Sequence, residues 1–163
     1  MTRTAQLLPA LLLLGLADAA AAQAIPEGSS VARLLAQAEA ECKAADPEAP
    51  ATLTIAPEAI TWTDLDGDEA RDDAIIDFNA IFCSLSGSMW HGTGGAPVHA
   101  LPDAAEGGPG HQWTGWGWQV IQHAGAPLLL LSRHGTACDG SGADPCVMAV
   151  SFAAGQAFSL TSP

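Results

Sequence analysis

The stretch from Asp64 to Asp77 constrains this chain more than any other. It carries seven carboxylates, Asp64, Asp66, Asp68, Glu69, Asp72, Asp73 and Asp77, within fourteen residues, and Arg71 is the one basic residue among them. Like charges packed this closely raise each other's proton affinity and cost stability unless a cation neutralises them. Asp64, Asp66, Asp68 and Asp72 stand at relative positions 1, 3, 5 and 9, and a tight loop can aim every second side chain at one point. Gly67 permits the sharp turn that an ordinary side chain opposes. Calcium takes six to eight oxygens at about 2.3–2.6 Å, and Ala70, at position 7, has a backbone carbonyl to offer. The spacing therefore predicts a structural calcium site built from Asp64, Asp66, Asp68, Ala70 and Asp72, with Asp73 or Asp77 as an extra ligand. A solvated acidic turn is the competing reading, and magnesium fits less well because it prefers rigid octahedral sites that keep several waters.

The N-terminus reads as an export signal. Arg3 supplies a positive start, Leu7 to Leu16 an apolar run, and Ala20 to Ala24 a small-residue cleavage region. The run is too short for a bilayer span of about 20 residues, and no later segment approaches that length, so no membrane insertion is expected once residues 1–24 are removed. Against 18 acidic residues the chain has 5 basic ones, a formal charge of −13. A handful of scattered cations cannot neutralise a phosphate track, which argues against nucleic acid as a partner. The 48% hydrophobic content excludes a disordered acidic tail.

Residues 25–50 are expected to form a leader and a helix. Ser29 or Ser30 is placed to cap it, and Val31, Leu34, Leu35, Ala38 and Cys42 recur at helical spacing up to about Ala45. Asp46, Pro47 and Pro50 end it. Residues 51–163 read as one antiparallel β domain, so the expected fold is mainly β (α+β) with one N-terminal amphipathic helix. Leu53 and Ile55 followed by Ile60 and Trp62 suggest a hairpin about Pro57-Glu58. Ala74 to Phe78 and Pro97 to Leu101 are further strand candidates. Trp116, Trp118 and Val120 suggest the core face of a later strand, and Leu128 to Leu131 a strand covered on both sides. Cys146 to Phe152 and Gln156 to Leu160 suggest a closing hairpin. Ser84 to Gly95 and Asp103 to Gly110 are rich in turn formers and read as surface loops.

Cys42, Cys83, Cys138 and Cys146 allow three pairings. Cys138 and Cys146 flank a segment built to turn, which favours a local bridge and leaves Cys42 for Cys83. Thiolate zinc is disfavoured because neither pair has the two-to-four-residue spacing of zinc knuckles. His91, His99, His111, His123 and His134 include no pair at the i, i+4 spacing of a helical zinc motif. A nucleophilic set of Ser86, His91 and Asp103 can be written down, but geometry alone tests such a set. The run Trp90 to Gly95 looks like a phosphate cradle yet lacks the lysine and the following helix. Core packing is the ordinary use of the five tryptophans. Trp90 and Trp113, beside loops, together with His91, form a possible ligand surface.

The acidic spacing resembles the calcium loops of dockerin modules and integrin-type FG-GAP repeats, in which Asp-x-Asp-Gly-Asp-Gly-x-x-Asp runs directly into a hydrophobic strand. Two departures stand out. Glu69 occupies the usual glycine position, which implies a strained loop and weaker binding, and Ile75 replaces the bidentate Glu of an EF-hand. Asp64 to Phe78, Gly92 to Gly95, Gly115-Trp116-Gly117, His134 to Cys138 and Pro145-Cys146-Val147 together resemble a group of small exported proteins of Gram-negative bacteria. That resemblance implies export and a structural calcium loop and supplies no reaction; one cysteine bridge flanking the glycine loop is replaced here by His91 and Ala96. The expectation from sequence is thus a periplasmic or secreted, non-catalytic, calcium-stabilised module that binds a protein or cell-envelope ligand. The alternative is a small periplasmic hydrolase, or hydrolase inhibitor, using the Gly92 to Gly95 loop with Trp90, His91 and His111.

Overall fold

The computed structural model describes residues 24–142, 144 and 146–162, so nearly all of the expected signal segment lies outside the described residues. The helix α1 spans Ser30–Ala44 and opens on the Ser29 hydroxyl, which accepts the Ala32 N–H at 3.1 Å. Lys43 in its last turn complements the helix dipole. Val31, Ala38 and Cys42 are buried along one stripe, as the apolar spacing requires.

Among the described residues ten strands follow: β1 (Leu53–Ile55), β2 (Ile60–Thr63), β3 (Asp73–Asp77), β4 (Ile81–Cys83), β5 (Ala96–Leu101), β6 (His111–Gly115), β7 (Gly117–His123), β8 (Ala126–Arg133), β9 (Cys146–Ala153) and β10 (Gln156–Ser162). They make three antiparallel sheets, β1-β4, β2-β3-β5-β6 and β10-β9-β8-β7. The sheet β2-β3-β5-β6 is the middle layer. Ala74 and Ile76 on β3 pack with Val31, Ala38, Trp62 and Phe78 on the helix side. Ile75, between them, packs with Val98, Leu129, Leu131, Val150 and Phe152 toward the second large sheet. The period-two alternation of β3 thus buries both faces, one against the helix and one against a sheet.

Among the described residues the fold is mainly β with one α-helix, as the periodicity implied, but pairing or burial departs from expectation in three places. β1 and β2 do not form a hairpin. Pro57–Ala59 is a 3-10 turn, β1 pairs with β4 through Leu53↔Cys83 and Ile55↔Ile81, and β2 pairs with β3. The Cys42–Cys83 bond anchors β4 beneath the helix and so offers β1 a partner from distant sequence. Trp116 is 46% exposed rather than core, because β6 ends at Gly115 and β7 begins at Gly117, and the chain crosses between sheets at that residue. Leu128 to Leu131 is covered on one side only: Leu129 and Leu131 are buried, Leu128 and Leu130 half-buried. The β9–β10 hairpin closes as expected, with Phe158↔Ser151 and Leu160↔Ala149 in register.

The second bond is Cys138–Cys146, so both cysteine pairs follow the favoured assignment. Their sequence separations are 41 and 8 residues. Loop-closure entropy then assigns about 4 kcal/mol to the long bridge and about 2.5 kcal/mol to the short one. Chemical denaturation of Cys42→Ala/Cys83→Ala should show the larger loss of stability, and Cys138→Ala/Cys146→Ala the smaller.

Candidate functional site

The nine residues from Asp64 to Asp72 connect β2 to β3 and fold back on themselves through their own carboxylates. Asp64 Oδ1 accepts the Gly67 N–H at 2.6 Å and Asp64 Oδ2 the Glu69 N–H at 3.2 Å. Asp66 Oδ1 accepts from Asp68 N at 3.2 Å, and Asp68 Oδ1 from Ala70 N at 2.7 Å. Such turns, in which an Asp side chain binds backbone two residues on, are the ordinary local chemistry of aspartate. Leu65 interrupts the acidic run for a physical reason: it is 1% exposed and packs into the core between the two large sheets. That apolar plug pins one end of the loop, and Gly67, lying against Pro127 at the start of β8, meets the second large sheet.

The other end is pinned by Asp73. Its carboxylate is buried; Oδ2 accepts the Leu65 N–H at 2.5 Å and Oδ1 accepts the Asp103 N–H at 2.7 Å. Burial pushes its carboxyl above the ordinary range, although those two backbone donors favour the charged form. Asp66 is also pushed up, by desolvation first and then by the neighbouring charges of Asp68, Asp103 and Asp64.

One carboxylate oxygen each from Asp64, Asp66 and Asp73 lies within 4.8 Å of the other two. Oxygens bound to one ion at about 2.4 Å can be no farther apart than twice that distance, so these three can hold a metal ion together. Among the described residues no basic side chain pairs with these carboxylates. Arg71 turns away, its Nη2 donating to the Trp62 carbonyl at 2.9 Å. Among the described residues the one ion pair is Lys43 with Glu39, on the far helix. Three carboxylates at this spacing repel by about 1 kcal/mol per pair even in bulk water and more near a protein surface.

Of the five ligands expected from spacing, Asp64 and Asp66 are brought together here. Asp68 is exposed and accepts the N–H of the half-buried Ala70, and Asp72 is half-buried with its carbonyl accepting from Ala105 N at 3.0 Å. The third converging carboxylate is Asp73, which spacing placed only as an extra ligand beside Asp77. Asp77 instead caps the next turn by accepting from Asn79 N. Asp103, 30 residues from Asp73 in sequence, adds its charge to Asp66, and no motif in the sequence places it there. Glu69 takes φ of +71°, the left-handed conformation that suits glycine.

The possible ligand surface does not assemble as one face. Trp90 packs beside α1 with its ring edge-on to Phe78. Trp113 lies within β6, against Phe152 between the large sheets. His91 stacks on Phe82 at 4.9 Å, and both its ring nitrogens are enclosed without a hydrogen-bond partner. Asp103 belongs to the acidic loop's surroundings, and no hydrogen bond links Ser86, His91 and Asp103 among the described residues. His111 Nε2 contacts the Gly155 carbonyl at 3.0 Å. Gly92 and Gly95 satisfy each other's N–H and C=O groups at 3.0 Å, so those donors do not point outward to an anion.

Two substitutions separate anchoring from repulsion. Asp73→Asn leaves Leu65 N or Asp103 N without an acceptor and should cost about 1–3 kcal/mol in chelator, whereas Asp66→Asn in chelator should cost nothing or stabilise slightly. Glu69→Gly relieves a left-handed side chain and should stabilise by about 1 kcal/mol, read as a raised melting midpoint with and without divalent metal. Comparison with protein-family models, with curated proteins and with solved structures finds no match to this chain.

Proposed function

We propose that this protein is an exported, non-catalytic module, stabilised by one calcium ion in the β2–β3 loop, that binds a protein or cell-envelope ligand. The observation that carries the reading is the convergence of Asp64, Asp66 and Asp73, none of which forms an ion pair among the described residues. Calcium fits such a group better than magnesium because it accepts irregular oxygen geometry and completes its shell with carbonyls and water. The rest of the coordination shell comes from water and loop carbonyls, since Asp68, Ala70 and Asp72 do not join the converging group. Two disulfides suit an oxidising compartment outside the cytoplasm, and no helix among the described residues is long and apolar enough to cross a membrane. A net charge of −13 favours cations and repels anionic surfaces. The enclosed ring of His91 and the self-paired glycine loop speak for packing over proton transfer, and hence for binding over hydrolysis.

Calorimetric melting of the domain in calcium, magnesium and chelator tests the ion. A hundredfold excess over Kd stabilises by about 2.7 kcal/mol, so calcium should raise the midpoint by several degrees and magnesium by less. Equal midpoints in calcium and chelator sink the assignment. The pH dependence has a defined sign. The raised carboxyls of Asp66 and Asp73 favour the protonated fold, a stability present below the ordinary carboxylate range and lost as pH rises through their higher folded values. Calcium needs both deprotonated, so the gap between calcium and chelator midpoints should be small near pH 4 and open toward pH 7. Sedimentation with isolated cell-envelope fractions tests the partner. Retention that chelator abolishes supports the reading, and no retention in either condition overturns it.

A further inference from the structure

Between α1 and the middle sheet lies a cavity of about 210 Å³ that the acidic loop does not touch. Its floor is aromatic. Phe78 meets Trp90 edge-on with ring centroids 5.2 Å apart and meets the ring of His99 at the same distance. Its rim carries the carboxylate of Glu41, held in place on both oxygens: Oε2 accepts the Trp90 indole N–H at 3.2 Å and Oε1 accepts the Gln37 amide at 2.9 Å. Each of those oxygens keeps a free lone pair. Leu34, Ala38 and Pro97 supply apolar walls, and no Lys or Arg lines the space.

His99, on β5, is a further polar group in this lining. Among the described residues neither of its ring nitrogens has a hydrogen-bond partner within the protein. Burial lowers its pKa to about 4 despite the opposing influence of Glu41, so at neutral pH the ring offers one N–H and one acceptor lone pair.

We propose that this cavity binds a small organic ammonium group, with its N–H donors on Glu41 and His99 and its alkyl part against Phe78 and Trp90. Three features of the cavity select that chemistry. An anion meets the Glu41 charge with no cation to offset it. A neutral apolar guest leaves the carboxylate and the imidazole unsatisfied. A cation gains from the carboxylate, from contact with the aromatic lining and from the net charge of −13. The cavity exceeds the roughly 150 Å³ that admits a benzene-sized guest, which suits an alkylammonium of a few carbons. The site shares no residue with the calcium loop, so it stands or falls separately from that reading.

The test is an NMR titration of the disulfide-bonded chain with n-butylammonium chloride, run in calcium and again in chelator, following the Trp90 indole N–H identified through Trp90→Phe. The expected result is a saturable shift in both conditions, with no comparable shift from n-butanol or sodium butyrate. Glu41→Gln should weaken binding about tenfold, the scale of one hydrogen bond to a charged group. Glu39→Gln removes an equal charge from the same helix outside the cavity and should leave affinity within about twofold, the scale of a screened exposed charge. Absence of saturation up to about 0.1 M, where even a millimolar site fills, overturns the proposal. So does equal weakening by Glu39→Gln and Glu41→Gln, which would assign the binding to the general field of an acidic surface.

Discussion

A buried carboxylate ties this structure together. Asp73 accepts one backbone N–H from Leu65 and another from Asp103, and those residues lie in two different loops, β2–β3 and β5–β6, at the same end of the middle sheet. The group is costly to bury as an anion, yet a neutral side chain in its place satisfies fewer of the donors that converge on it. Its position at the first residue of β3 means that the strand register and the loop conformation are set by the same atoms. Once Asp73 is fixed, Leu65 is drawn into the core between the sheets, and Asp64 and Asp66, on either side of Leu65, are left facing the same space.

The carboxylate cluster is therefore a by-product of packing before it is a ligand set. Alternation along Asp64-Leu65-Asp66 puts the apolar side chain inward and both acids on the opposite side, which is the strand rule continued into a loop. The repulsion that results is tolerated because Asp64 and Asp66 also accept backbone N–H groups of the loop, which would otherwise lack partners in a turn of this shape. The backbone has already organised the group of oxygens that the proposed ion would occupy, and this links a local sequence spacing to the packing of two sheets.

Much of this was legible from the chain. The helix, its serine cap, the strands 73–77 and 96–101, the closing hairpin and both cysteine pairs follow from short-range rules of periodicity and turn chemistry. The partner of β1 was not legible, because two three-residue apolar segments carry no register information, and the Cys42–Cys83 bond, which spans the intervening chain, decides which of them meet. Trp116 shows the same limit. Its alternation with Trp118 is that of a core face, yet the chain changes sheets at that residue and the indole remains outside, its N–H on the Thr93 carbonyl.

By itself the sequence determined that a dense acidic turn joins two strands, that Gly67 bends it, and that one helix and many short strands make the rest, since each of these depends on residues within a turn or two of each other. Only the tertiary structure decided that Asp73 replaces the tip carboxylates in the converging group, that Asp103 adds its charge, and that Glu41, Trp90 and His99 enclose a cavity. Those residues come from separate elements brought together by burial of the sheet's two faces, and no spacing along the chain encodes a distance across a core.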